Sequence, residues 1–291
     1  MTGFDPTALA TAIQHALYES GWCQRSTDRR QSWRHAGEGG FDHRDYTVVR
    51  LDWKTARDFI QRHHYSGSFA SATLRHGLVR RRDGRLVGAA VFGSPQSRQV
   101  LTNPLPGLGY DTAAEWNRFV LIDEVEANTE SWFGEQALAD ARDHGLKAVV
   151  TFADPVPRPD VGMPGHAGIV YQALNADYCG RATAGDLLVL PDGTVLTRRV
   201  VQKLRGGEVG AGGVIRRFIA AGAPRPEPGE SGAAYLRRAK AAVRPRIVTH
   251  PGNHRFIVRL GTGRQKRRIA LADGYEPRPY PKRPDPMPTY R

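Results

Sequence analysis

Cysteine is scarce in this chain. Cys23 and Cys179 are the only two in 291 residues. Two thiols cannot build a disulfide framework, and neither has metal-ligating neighbours at finger spacing. A stapled secreted scaffold and a zinc module are therefore both excluded, and no metal is assigned. No apolar run reaches about 18 residues, which excludes a membrane-spanning helix. The opening stretch, MTGFDPTALATAIQHALYESG, lacks a basic start and a continuous apolar core. It does not read as a signal peptide, and a cytoplasmic setting is the expectation. No internal repeat is visible. Acidic residues are also few: 29 Asp and Glu face 42 Lys and Arg, for a formal charge of +13.

That imbalance points to a polyanionic partner, nucleic acid before membrane. The charge is uneven. Residues 244–291 carry twelve Lys or Arg against three acids. Within them Arg264, Lys266, Arg267 and Arg268 form a tight cluster suited to phosphates, which would position a duplex without reading its bases. The plainer reading of such a run is a solvated face. Double-stranded DNA is the expected partner, and neither a membrane nor an obligate protein partner is implied.

The order of elements indicates an α/β fold. Asp5-Pro6 opens a short helix through about Tyr18, followed by a polar, glycine-rich stretch, so residues 1–45 read as a loosely attached extension. YTVVRL (46–51) reads as a strand, and Asp52 caps a helix in which Ala56, Phe59, Ile60 and His63 recur at helical spacing. Asp83-Gly84 turns a hairpin. AEWNRFVLIDEV is a strand, NTESWFGEQALADARDHG a helix, and LKAVVTFAD a strand ending at Asp154. GIVYQALNADY reads as a short helix, Asp192-Gly193 as a second hairpin turn, and HRFIVRLG (254–261) as a late strand. A main domain over 46–261, with an insertion at about 206–245, precedes a basic, proline-rich tail over 262–291, whose final stretch YEPRPYPKRPDPMPTYR should run extended. This is one mixed central sheet flanked by helices, without the βαβα rhythm of a doubly wound domain.

Several positions carry chemistry. In RHHYSG (62–67), His64 can move a proton near neutral pH and Tyr65 can donate, accept or stack. Alternatively, these groups simply cap a helix. Asp154 stands at the carboxyl end of a strand, where α/β sheets open ligand crevices, or else it forms a turn before Pro155. Tyr171, Asn175 and Tyr178 fall at i, i+4 and i+7, a polar-aromatic face if the helix runs that far. His166 lies just before it. In EWNRFVL, Trp116 can stack or pack, and Asn117 and Arg118 interrupt an apolar strand where Arg118 could reach a phosphate or carboxylate.

HHYSG, EWNRFVL, FADP with GHAGIVYQALNADYCG, and the late HRFIVRLG with YPK together resemble the Mom family of bacteriophage DNA-modification enzymes. The resemblance spans roughly residues 46–205 and 250–284. It implies a fold similar to the GNAT N-acyltransferases and conversion of adenine in phage DNA to an N6-carbamoylmethyl form that hides the DNA from host restriction. It also implies His64, Tyr65, Asp154 and Tyr171 as the active residues, with a loop between the last two, VPRPDVGMPG, longer than the family's.

The GNAT likeness further implies an acyl-CoA donor, acetyl-CoA first, with its pyrophosphate on backbone amides at a helix N-terminus. The matching place is Asn128, Thr129, Glu130, Ser131, Trp132 and Phe133. The usual glycine-rich pattern is absent there, and Glu124, Glu126 and Glu130 add negative charge. Two other readings stay open. One is acyl or aminoacyl transfer to a modified pyrimidine or a small-molecule amine. The other is a basic DNA-binding protein without catalysis.

Overall fold

The structure, a computed structural model, describes residues 21–156 and 165–281. The expected helix up to Tyr18 and most of the proline-rich loop after Asp154 lie outside these residues. The chain divides into a large sheet unit and a smaller inserted unit over Thr183–Gly252. The boundary differs from the expected 206–245 because the second hairpin packs on the inserted helices.

The sheet unit opens with a hairpin, β1 (Trp22–Thr27) and β2 (Arg30–His35), turned at Asp28 and Arg29, which both take positive φ. This replaces the loose polar stretch expected there. β3 (Tyr46–Arg50) leads to α1 (Trp53–His63). The Asp52 side chain caps α1 by accepting the Thr55 N–H at 2.9 Å, a contribution of about 1 kcal/mol. Ala56, Ile60 and His63 turn inward. β4 (Leu74–Arg80) and β5 (Arg85–Gly93) form the hairpin at Gly84, and a short α2 (Gln99–Thr102) follows. β6 (Ala113–Leu121), α3 (Thr129–Asp143) and β7 (Ala148–Ala153) make one parallel crossover. α4 (Ile169–Ala173) and β8 (Asp177–Arg181) complete this part.

In the inserted unit, β9 (Gly185–Val189) and β10 (Val195–Leu196) precede α5 (Arg198–Arg205), α6 (Ala211–Ala220), α7 (Gly232–Val243) and β11 (Arg246–His250). β9 pairs with β10 and β11, and a core around Leu204, Phe218, Tyr235 and Leu236 lies beneath. The chain then returns to the sheet unit as β12 (His254–Arg259) and α8 (Gly263–Arg268).

The main sheet has seven strands in the order β3-β4-β5-β6-β7-β12-β8. β3 to β6 form an antiparallel meander, β6 and β7 are parallel, and β12 runs antiparallel to both β7 and β8. This is the mixed central sheet flanked by helices that was expected. Phe92, Trp116, Phe133 and Phe256 fill its core. The tail up to Pro281 runs extended, as its prolines predict: Arg278 N–H donates to Tyr178 C=O and Tyr280 O–H to Ala176 C=O. Among the described residues no helix is long and apolar enough to cross a membrane.

One expectation fails. The helix at Ile169 ends at Ala173, Asn175 takes a left-handed φ of 54°, and Tyr178 sits on β8. Tyr171, Asn175 and Tyr178 therefore share no helix face. A five-residue helix is too short to carry an i+7 neighbour, and the pull of sheet pairing with β12 starts at Asp177.

Candidate active site

β6 and β7 pair in parallel only from Ala113↔Ala148 to Trp116↔Thr151. Beyond that point they part. β6 continues against β5 alone, while Ala153 at the end of β7 pairs with His254 of β12. The β5–β6 register also shifts at this place, between Val91 and Phe92, so Asn117 is the extra residue of a bulge. Parting parallel strands leave a crevice at their carboxyl ends. Here it widens to a cavity of about 290 Å³. His64, Tyr65 and Ser66 wall it from the end of α1, Trp116 to Leu121 from β6, Phe152 from β7, and His166 to Tyr171 from the approach to α4. The β1–β2 hairpin and the start of α3 supply Cys23, Arg25, Asn128, Glu130 and Ser131.

The RHHYSG segment is tied down from two sides. Ser26 Oγ and Arg29 N–H donate to the His63 carbonyl, and His63 Nδ1 accepts the Asp28 N–H at 3.2 Å. His63 packs at a tilt against Phe59 and is pressed below its ordinary pKa by burial, so it is a packing residue. His64 faces the cavity. Its Nδ1 accepts the Ser66 N–H at 3.1 Å, with Ser66 Oγ at 2.9 Å. A backbone N–H can only donate, so the neutral ring carries its proton on Nε2, a tautomer assigned from these bonds. The His64 and Tyr65 rings stack at 4.3 Å.

The loop after this segment is clamped to β6. Asn117 Nδ2 donates to Ser71 C=O, and Arg118 donates to Ser68 C=O at 2.9 Å and Ser68 Oγ at 2.8 Å. Ser71 C=O lies so near Gly93 that any Cβ there would meet it at 2.0 Å. Arg118 is held below its ordinary pKa by burial, with Tyr65 and Glu115 opposing. Asn117 and Arg118, expected to touch substrate, thus use these donors to position the loop. Trp116 is 2% exposed, donates Nε1–H to Arg118 C=O and packs on Phe92, Phe119 and Tyr171. It offers the cavity an edge, not an open face for stacking.

Tyr171 is buried, and burial pushes its phenol up to about 12. Its hydroxyl is bonded to Thr151, whose Oγ1 donates to Trp116 C=O at 3.0 Å. A hydroxyl has one proton, so the bond between them is Tyr171 donating to Thr151. The phenol oxygen keeps lone pairs for a cavity N–H. Gly168 sets the ring's place: its φ is 72°, and a Cβ there would strike Phe256 at 2.6 Å and Tyr171 at 2.9 Å. Asp154 is buried beside the cavity and not in its wall. Its Oδ1 accepts the Val156 N–H at 3.0 Å, and its carbonyl accepts the N–H of His166, which does reach the wall. His64, Tyr65 and Tyr171 therefore share one cavity, with Asp154 one bond behind His166.

The start of α3 narrows the expected acyl-CoA site. Asn128, Glu130 and Ser131 line the cavity. Thr129 turns its hydroxyl back to Glu126 C=O, Trp132 packs on Phe41, and Phe133 is core. In a helix beginning at Thr129, the Trp132 and Phe133 amides already serve the helix's own bonds. Glu130 puts a carboxylate among the free amides, ion-paired to Arg25, which also donates to Val125 and Glu126 carbonyls. Cys23 lies beside it, its thiol pushed up by burial first and by the Glu130 charge next. A pyrophosphate would meet that carboxylate and find Arg25 already engaged, so these residues fit it poorly. The basic cluster Arg264, Lys266, Arg267 and Arg268 stands exposed on α8, away from the cavity wall.

The residues missed by sequence reasoning are Thr151, Ser66 and the whole hairpin wall. The hairpin turns at Asp28-Arg29 rather than at a glycine, so its sequence carries no turn signal.

The profile of the Mom protein family matches residues 45–282. The methylcarbamoylase mom of Escherichia phage Mu is 32% identical over 147 residues, 48% of this chain and 56% of that protein. The chain thus spans about half the length of the curated relative it matches. Among solved structures, the C-terminal condensation domain of Ebony in complex with beta-alanyl-dopamine aligns at TM-score 0.34 and 10% identity, over 51% of this chain and 90% of that one. A tandem GNAT protein from the clavulanic acid biosynthesis pathway aligns at TM-score 0.33 and 14% identity, over 78% and 72%. Likenesses this distant carry no weight for chemistry.

Proposed function

Because the chain belongs to the Mom protein family, we propose that it is a DNA-modifying transferase placing a carbamoylmethyl-type group on N6 of adenine, which shields phage DNA from restriction. The observation that carries this reading is the meeting of His64, Tyr65 and Tyr171 in one cavity at the β6–β7 split. The cavity is on the scale of a single base with a small group attached, which suits a base turned out of the duplex.

In this reading the exocyclic amine enters between Tyr65 and Tyr171. The Tyr171 phenol oxygen accepts one N–H and aims the nitrogen lone pair at the incoming carbon. The phenol stays protonated because burial holds it near 12. His64 presents Nε2–H to oxygen on which charge develops, as a fixed donor. Tyr65 stands in the wall and can pass on the proton that the amine gives up, while Asp154 stands behind the wall and takes no direct part. An acyl-CoA, acetyl-CoA in its simplest form, is the donor class implied by the GNAT likeness. Its phosphates need a cradle other than the first turn of α3. Attack on its thioester carbonyl would release the CoA thiol and leave an N6-acyl adenine, so a methylene-linked carbamoylmethyl group would need a donor that carries the amide nitrogen and a leaving group on the methylene carbon.

Mass analysis of nucleosides from DNA of cells expressing the protein tests this. Wild type should yield deoxyadenosine bearing a carbamoylmethyl group in place of a hydrogen, and Tyr171→Phe should yield at least about 100-fold less. A new mass on a pyrimidine nucleoside would move the substrate. No new nucleoside at all would end the enzyme reading.

A further inference from the structure

The inserted unit, residues 183–252, carries twelve Lys or Arg against five acids, more than half of the chain's excess charge. Its acids are already engaged. Glu208 holds Arg199 at 2.6 Å, and Glu230 holds Arg238 at 2.6 Å with Glu227 at 3.7 Å. Asp192 accepts the Thr194 N–H within its turn, and Asp186 takes the Thr249 hydroxyl. Arg237, Lys240 and Arg244 have no carboxylate partner among the described residues. They recur at three and four residues, so they form one stripe along α7 and its cap, with Ala241 exposed between them. Arg237 and Arg244 are exposed, and Lys240 is half-exposed. The stripe is about 10 Å long.

The chemistry of this face selects its partner. The apolar residues of the three helices, Leu204, Val214, Phe218, Leu236 and Val243 among them, are buried in the unit's own core. Val209 is the one large apolar side chain of the unit standing exposed among the described residues, and a single side chain is not the apolar face that an interfacial helix needs. Ten of the twelve cations are arginine, whose planar fork suits phosphate oxygens.

We infer that the inserted unit is a sequence-independent DNA-backbone clamp, with the Arg237–Lys240–Arg244 stripe of α7 on the phosphates. It adds affinity and salt dependence and no base selectivity. This rests on the DNA reading of the active site and assigns a second surface to the same partner.

The test uses the full chain and a random-sequence duplex, with binding measured by fluorescence anisotropy as a function of salt. Wild type should show a steep fall of log K with log salt. The triple variant Arg237→Ala, Lys240→Ala, Arg244→Ala should lose about 0.9 in slope per residue, roughly 2–3 in all, and with lines that converge near about 1 M salt should bind more weakly by a factor on the order of 100 or more at about 0.1 M. The loss should be alike for every sequence. The charge-keeping variant Arg237→Lys, Lys240→Arg, Arg244→Lys should restore the slope, which separates lost charge from lost folding. An unchanged slope in the alanine variant, beside a salt-dependent wild type, overturns the clamp and leaves the DNA reading standing. A wild type that ignores duplex at every salt overturns both. A stripe that binds polyglutamate while leaving the duplex slope untouched would assign the surface to an acidic protein and overturn the clamp.

Discussion

In the sheet unit, a set of arginines is spent on carboxylates, although the cluster on α8 stands exposed. Arg25 is buried against Glu130, Arg80 bridges Asp83 and Glu124, Arg50 holds Asp140, and Arg259 holds Asp177. In the inserted unit, Arg199 and Arg238 are matched in this way, while Arg237, Lys240 and Arg244 of the α7 stripe have no carboxylate partner among the described residues. Both units bury an apolar core of their own. The difference separates two uses of one residue type. Paired guanidinia fix architecture: Arg25 ties the β1–β2 hairpin to the start of α3 and so closes one wall of the cavity. Unpaired guanidinia gain nothing for the fold, and repel one another, so their persistence asks for an external anion.

The hardest way to break this comparison is to empty each core in turn. Phe256→Ala and Phe218→Ala each remove a fully buried ring, and each should cost about 3–5 kcal/mol. Two cores predict two separable unfolding steps in a denaturant titration. Phe218→Ala should displace one of them and weaken DNA binding. Phe256→Ala should displace the other and abolish modification, because that ring packs 5.4 Å from Tyr171. One transition displaced equally by both variants would refute the division.

A second, smaller effect sharpens the division of labour. Tyr171→Phe keeps the ring against Trp116 and removes only the hydroxyl. It should lower kcat on a DNA substrate by about 100-fold, while stability moves by about 1 kcal/mol. The α7 alanine variant should instead raise KM and leave kcat near wild type. Steady-state kinetics on one duplex decides this, and a kcat loss from the α7 variant would place the stripe in the chemistry.

The sequence made most of the sheet legible, because its signals are local. Asp52 as a cap, glycine turns at Gly84 and Gly193, and β-branched runs at Val48–Val49 and Val149–Val150 need no long-range information. What escaped was set by pairing at a distance. β8 begins at Asp177 because β12, about eighty residues later, pairs with it, and this cut the expected helix at Ala173. The parting of β6 from β7 is likewise invisible in either strand. His64 and Tyr171 were legible as chemical types, and Tyr65 with them. Thr151 was not, since a threonine in a β-rich run looks like any other strand residue until its hydroxyl is found between Tyr171 and Trp116. Asn117 and Arg118 were legible as anomalies of an apolar strand, yet their donors go to the Ser68–Ser71 loop.

The smallest effect concerns acid. His76 on β4 is 1% exposed, with Nε2 2.6 Å from Asp140, and burial holds its imidazole below the ordinary value despite that carboxylate. In the unfolded chain the ring takes a proton near pH 6.5, and in the folded chain it does so only at lower pH. The unfolded state therefore binds more protons over that interval, and stability falls as pH falls below about 6.5. Asp140 is raised by burial, but its bonds to His76 and Arg50 leave it below the ordinary carboxylate value. Its contribution is thus present above about pH 4 and enters only under stronger acid. Between about pH 7 and 5.5 the sheet unit should lose stability as the pH falls. The inserted unit, whose single histidine, His250, is not buried, supplies the contrast within the same titration. His76→Gln keeps a donor for Asp140 and cannot titrate, so it should flatten the sheet unit's pH dependence. A wild-type sheet transition that holds or gains stability on acidification over this range would show that the Asp140 partnership outweighs burial at His76.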